Sequence, residues 1–127
     1  MKSVIHTSAA PKAIGPYSQA IRVGNVVYCS GQIALDPVSG EMRQGSVEAQ
    51  IQQVLANLKA VCVEAGGGLN HIVKLTVYLR DLNDFAAVNA LMAEYFQPPY
   101  PARAAVEVSR LPKDALVEMD AILAFPE

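Results

Sequence analysis

The stretch Tyr100-Pro101-Ala102-Arg103-Ala104-Ala105-Val106-Glu107-Val108, followed by Leu116-Val117-Glu118-Met119-Asp120-Ala121-Ile122, decides how the chain reads. Both runs carry the two-residue period of a β-strand. The first is expected to place Ala104, Val106 and Val108 on one face, with Arg103, Ala105, Glu107 and Ser109 on the other. In the second, Val117, Met119, Ala121, Leu123 and Phe125 form an apolar face, while Glu118 and Asp120 lie between Leu116 and Ile122 on the opposite one. A guanidinium and two carboxylates in mid-strand need water, partners or a ligand, because unpaired charge is not tolerated in a dry core.

Upstream, Ile72 to Arg80 reads as another strand, with Val73, Leu75, Val77 and Leu79 facing one way and Lys74, Thr76, Tyr78 and Arg80 the other. Helical periods flank it. From Ser46, apolar residues recur at Val47, Ile51, Val54, Leu55, Leu58, Val61, Cys62 and Ala65, and Gly66-Gly67-Gly68 closes the run. Ser46 with Ala49 is half a capping box, and Glu48 suits the positive end of the helix. A second helix is expected from Leu82 or Asn83 to Phe96, burying Phe85, Val88, Leu91, Met92, Tyr95 and Phe96 before Pro98-Pro99-Tyr100-Pro101 stops it. Nearer the N-terminus, residues 2–6 suit a short strand and residues 8–17 a loop shaped by Pro11, Gly15 and Pro16. Gln19–Val23 and Asn25–Gly31 suit a hairpin turning at Gly24-Asn25, and a turn-rich loop follows at Leu35–Gly40.

Three strands, a helix, a strand, a helix and two strands make an α+β layer over a single domain, 1–127, with two helices on one face of a mixed sheet. The other face is expected to carry Lys74, Thr76, Arg103, Glu107, Glu118 and Asp120 among apolar residues. Such a face is too polar for a core and too apolar for open water, so it suits a subunit interface with a polar cleft in it.

Composition narrows the function. Apolar residues make up 52% of 127 and charged ones 17%, which favours an oligomer. A net charge of −2 supplies no field to gather nucleic acid or an anionic membrane. No secretory h-region opens the chain and no run is long enough to span a bilayer, so a cytoplasmic location is expected. Cys29 and Cys62 fit buried free thiols, with a bridge left open. His6 and His71 are the only imidazoles, which disfavours a metal centre. A nucleophile elbow and a phosphate-cradling loop are both missing.

Individual side chains carry two readings each. Arg103 is either an ion-pair partner of Glu118 or Glu107, or a bidentate clamp for a substrate carboxylate. Glu118 is either that partner or a general base that holds water. It stands two residues from Asp120, roughly 7 Å between Cα atoms, so each disfavours ionisation of the other where no cation intervenes. Tyr17, in Ile14-Gly15-Pro16-Tyr17-Ser18-Gln19-Ala20, is either core or the lid of a pocket. Ser30-Gly31-Gln32 ends a strand where backbone amides can face a ligand. Asn89 is either solvated or near a site.

Gly15-Pro16-Tyr17-Ser18-Gln19-Ala20, Ser30-Gly31-Gln32, Val77-Tyr78-Leu79-Arg80-Asp81-Leu82, Phe85-Ala86-Ala87-Val88-Asn89, Pro101-Ala102-Arg103 and Leu111-Pro112-Lys113-Asp114 with Val117-Glu118-Met119 together resemble the RidA/YjgF family of reactive-intermediate deaminases, over nearly the whole chain. The resemblance implies a chorismate-mutase-like fold and a homotrimer with sites between subunits. It implies cofactor-free hydrolysis of 2-imino acids such as 2-iminopropanoate and 2-iminobutanoate, formed from enamines such as 2-aminoacrylate that pyridoxal-phosphate enzymes release, to 2-oxo acids and ammonia. By the same resemblance, Arg103 binds the substrate carboxylate and Glu118 positions or activates water. Tyr17 covers the pocket, Ser30 and Gly31 offer strand-end contacts, and Asn89 lies near the mouth. Ala105 stands where many members carry Cys, so thiol chemistry at that position is absent here. Two alternatives remain: a non-catalytic trimer that binds 2-oxo acids or acts as a chaperone, and a ribonuclease, which the acidic balance and eight Tyr and Phe residues disfavour.

Overall fold

A computed structural model describes residues 1–126. Six strands, β1 (Ser3–Ile5), β2 (Ala20–Val23), β3 (Val26–Gln32), β4 (Ile72–Leu79), β5 (Ala102–Glu107) and β6 (Val117–Ala124), form one sheet in the order β1-β2-β3-β6-β4-β5. Neighbours are antiparallel except β4 and β5, which run parallel, so the sheet is mixed as expected. Helices α1 (Val47–Glu64) and α2 (Phe85–Tyr95) supply the apolar partners of one face.

Local chemistry sets the ends of α1. The Ser46 hydroxyl accepts the Ala49 N–H at 3.2 Å, satisfying one donor of the first turn. At the far end Gly66 takes φ +101°, which a residue with a Cβ rarely adopts. There the Gly67 N–H reaches the Cys62 carbonyl at 2.9 Å and the Gly66 N–H the Val63 carbonyl at 3.0 Å. Along its length α1 buries Ile51, Val54, Leu55, Leu58, Val61 and Cys62. The hairpin also forms where expected, Val23 facing Val26 with Gly24 at φ +60°. Cys29 and Cys62 are buried free thiols.

Three expectations need correction. First, β5 is turned over. Its register pairs Leu75 with Arg103, Val77 with Ala105 and Leu79 with Glu107, which puts Arg103 and Glu107 on the helix side. Ala104 and Val106 face the uncovered side, where Val106 is 44% exposed. As an edge strand that is half alanine, β5 carries no apolar stripe strong enough to reveal its orientation. The uncovered face therefore holds Lys74, Thr76, Glu118 and Asp120 without Arg103 or Glu107. Second, the β4–β6 register shifts between Ile72 and Lys74, so Ile72 enters the core and Val73 is exposed. Third, α2 begins after a 3₁₀ turn at Leu82–Asp84, where the Asp81 carboxylate accepts the Asn83 N–H at 2.9 Å, and Tyr95 lies exposed rather than buried.

Candidate active site

Two separate concavities hold the six candidate side chains. The larger, about 570 Å³, brings together Tyr17, Ser30, Gly31 and Glu118. The smaller, about 370 Å³, holds Asn89 and Arg103.

In the larger pocket, β3 and β6 change register between Cys29 and Gln32, so Ser30 and Gly31 together oppose Asp120. The bulge is tied from the other side, for the Ser30 N–H donates to the Gln19 carbonyl at 2.9 Å and its hydroxyl to the Ser18 carbonyl at 2.6 Å. Glycine at 31 has a steric cause. A Cβ there would overlap the Glu118 carboxylate, so only glycine lets that group lie against the strand. Burial first, and the nearby charge of Asp120 second, push the Glu118 carboxyl above the usual glutamate range. Ion pairing with Arg103 does not occur. Among the described residues the salt bridge is Arg110–Asp114, at the surface.

Buried amides hold the walls. The Gln19 side chain, 3% exposed, accepts the Thr7 N–H at 2.7 Å and donates to the carbonyls of Thr7, Ala10 and Pro11 at 3.0, 3.3 and 2.8 Å. This pins the loop that leads to Lys12, Ile14 and Tyr17. Asn57 of α1 donates to the Ile33 and Leu35 carbonyls at 3.2 and 3.0 Å, fixing the opposite wall. Gln50 accepts the Leu116 N–H at 2.9 Å just ahead of β6. Sequence reasoning missed all three, although Gln50 and Asn57 interrupt the apolar stripe of α1, a pattern that signals polar groups kept for a partner. It also missed Pro112 and Lys113, which line the same pocket from a turn with φ of +54° at Lys113 and +55° at Asp114.

In the smaller pocket the Arg103 guanidinium is aimed before any ligand arrives. Its Nη1 donates to Asn89 Oδ1 at 2.6 Å and approaches Met92 Sδ at 3.5 Å. Its plane lies over the Phe85 ring, 4.7 Å from the centroid. These contacts engage neither Nε nor Nη2, which leaves a two-pronged donor edge beside Tyr100 and Pro101. Phe85, counted as core from its spacing, is the platform of this arginine.

Strand register keeps the two pockets apart. Val106 and Tyr78 share a row with Glu118, whereas Arg103 sits three residues earlier on β5, two strands away and on the opposite face. Strand spacings put their Cα atoms roughly 14 Å apart, with the side chains diverging. One small molecule cannot touch both within a single chain.

The family profile described as Endoribonuclease L-PSP matches residues 7–125. The chain belongs to this family, also called YjgF/RidA. A RutC family protein of Pyrococcus abyssi is 58% identical to it over 121 residues, 95% of each chain. A protein of Dermatophagoides farinae named 2-iminobutanoate/2-iminopropanoate deaminase is 46% identical, over 98% of this chain and 97% of its own. A crystal structure of RidA from an Antarctic Psychrobacter superposes with a TM-score of 0.94 at 50% identity, covering 97% of this chain and 99% of that one. The six-stranded sheet with its two helices is thus the RidA/YjgF fold.

Proposed function

We propose that this chain is a 2-imino acid deaminase that hydrolyses imines such as 2-iminopropanoate and 2-iminobutanoate to 2-oxo acids and ammonia. The observation that carries the reading is a preoriented guanidinium edge in one pocket together with a half-buried carboxylate in the other. The deaminase name of the Dermatophagoides relative agrees with it. Because the two groups diverge within one chain, we assign the working site to a junction between copies in a homotrimer. Arg103 and Asn89 come from one subunit, and Tyr17, Ser30, Gly31 and Glu118 from the next.

In this site the substrate carboxylate docks on Arg103 through Nε and Nη2. Glu118 accepts a proton from water as the water oxygen bonds to the imine carbon. The same carboxyl returns the proton to nitrogen, giving a carbinolamine. It then relays the hydroxyl proton to that nitrogen as well, so the C–N bond breaks, ammonia leaves and the oxo group forms. Imine plus water equals oxo acid plus ammonia, so no cofactor enters the balance. Orientation and proton transfer suffice because imines hydrolyse unaided, and positioned proton transfer contributes roughly 10²–10⁴-fold. Ala105 lies half-buried beside Val77, away from both pockets, and takes no part.

The test generates 2-iminopropanoate in situ with an amino-acid oxidase and traps surviving imine with semicarbazide. Wild type is expected to suppress the adduct and Arg103→Ala to leave it. Equal adduct with and without the folded wild-type protein would contradict the reading and favour a trimer that only binds 2-oxo acids. The family description suggests RNA as a substrate, but a chain of net charge −2 lacks the basic groove such a substrate needs.

A further inference from the structure

The uncovered sheet face carries a second acidic group whose placement is as well determined as that of Glu118. Register sets Tyr78 directly opposite Glu118, and Thr76 opposite Asp120. From its position the Tyr78 hydroxyl reaches diagonally along the face and donates to Asp120 Oδ2 at 2.9 Å. The Asp120 carboxylate is thereby held on the Glu118 side of the strand ladder. On the other side the Ser30–Gly31 bulge, built against Asp120, admits the Glu118 carboxylate where any side chain at 31 would expel it. Three strands thus hold the two carboxyl groups at a set separation.

We propose that Asp120 and Tyr78 are a positioning pair that sets the proton affinity of Glu118 during imine hydrolysis. This rests on the deaminase reading for its use, though not for its physical basis. Neither residue touches the substrate; both act through Glu118.

The electrostatics follow from the geometry. The Tyr78 hydroxyl holds the Asp120 carboxylate in place, and the charge of that carboxylate, after burial, opposes ionisation of Glu118. The Tyr78 hydroxyl is pushed above the usual phenol range by that bond, which keeps it a donor. The other charged groups on the pocket wall with Glu118 are Lys12 and Lys113, while Lys74 on β4 lies four residues along the ladder, opposite Ile122. Their ammonium charges do not offset the effects of burial and Asp120. A base with an ordinary glutamate affinity would hold few protons at neutral pH and would return them poorly to the departing nitrogen.

The experiment follows the Glu118 carboxyl carbon by ¹³C NMR across pH in the assembled protein, with Glu118→Gln assigning the signal. Imine-hydrolysis profiles of the same variants are recorded in parallel. In Asp120→Asn the Glu118 midpoint is expected to fall below that of wild type, while burial keeps it above the ordinary glutamate range. In Tyr78→Phe the Asp120 carboxylate loses the bond that holds it in place, so the Glu118 midpoint is expected to move away from the wild-type value. Asp120→Glu restores the wild-type midpoint, and the acid limb of the rate profile moves with the NMR midpoint. Superimposable Glu118 curves in wild type, Asp120→Asn and Tyr78→Phe would overturn the proposal. Shifted curves in a protein that never hydrolyses imine would leave the coupling standing and remove the deaminase reading instead.

Discussion

Arg103 shows what a side chain contributes when its surroundings settle its orientation in advance. Phe85 and Asn89 fix the plane of the guanidinium, so the substrate carboxylate proposed above would meet a rigid fork rather than a searching chain. Arg103→Lys keeps the charge and loses the fork. With charge-assisted hydrogen bonds worth about 1.5–3 kcal/mol each, kcat/KM is expected to fall roughly 10- to 150-fold, mostly through KM. Steady-state kinetics at saturating and limiting imine separates the two; an unaltered KM would remove Arg103 as the carboxylate anchor. Gly31→Ala tests the other pocket. The added methyl must displace the Glu118 carboxylate, so turnover is expected to collapse while circular dichroism stays native. Glu118 itself weakens the fold it serves. Its folded-state affinity for protons is raised, so the folded form loses stability as pH rises from the unfolded glutamate range through the folded one, and the loss is complete above that. Glu118→Gln is therefore expected to melt higher than wild type at neutral pH and to match it near pH 4. A melting point that tracks wild type at every pH would refute the assignment of burial as the cause.

Helix α1 does more than cover the sheet. Its buried amides reach across to the loops that wall the larger pocket, so it fixes both core and site. Asn57→Ala would strip partners from the Ile33 and Leu35 carbonyls, and a loss of about 1–3 kcal/mol is expected in urea unfolding. No change would mean that water replaces the amide there. How much was legible in the sequence differs element by element for physical reasons. Helix α1 was readable because eight apolar positions keep one period and both ends carry cap chemistry. Strand β6 was readable because buried Val117, Met119, Ala121 and Leu123 alternate with half-buried neighbours, the first two of them charged. Strand β5 was not, since Ala102, Ala104 and Ala105 suit either side and the charge of Arg103 suggested water rather than an aromatic platform. At Val73 two consecutive β-branched residues hid the register shift, because either could have faced the core. All six candidate site residues could be named from the sequence, but their division into two pockets could not, for it depends on which way β5 turns.

At the scale of the molecule, the core seals off groups that would otherwise react. Burial pushes the Cys29 thiol up to about 12, with the charge of Asp120 adding to it, and burial pushes Cys62 up to about 12 as well. Neither is a thiolate at neutral pH. Labelling by an aromatic disulfide reagent is thus expected to proceed only as fast as the protein unfolds, and fast labelling of native protein would show an opening of the sheet–helix layer. The central claim concerns assembly, that Arg103 and Glu118 act together only across two copies of the chain. Mixing inactive Arg103→Ala and Glu118→Gln subunits, unfolding them together and refolding them tests it most directly. Random assembly of such a symmetric oligomer returns an intact Arg103–Glu118 pair at about one site in four. Imine hydrolysis is therefore expected to recover to about a quarter of the wild-type rate. Mixed assemblies that form yet stay inactive, while wild type refolded alongside them is active, would contradict it.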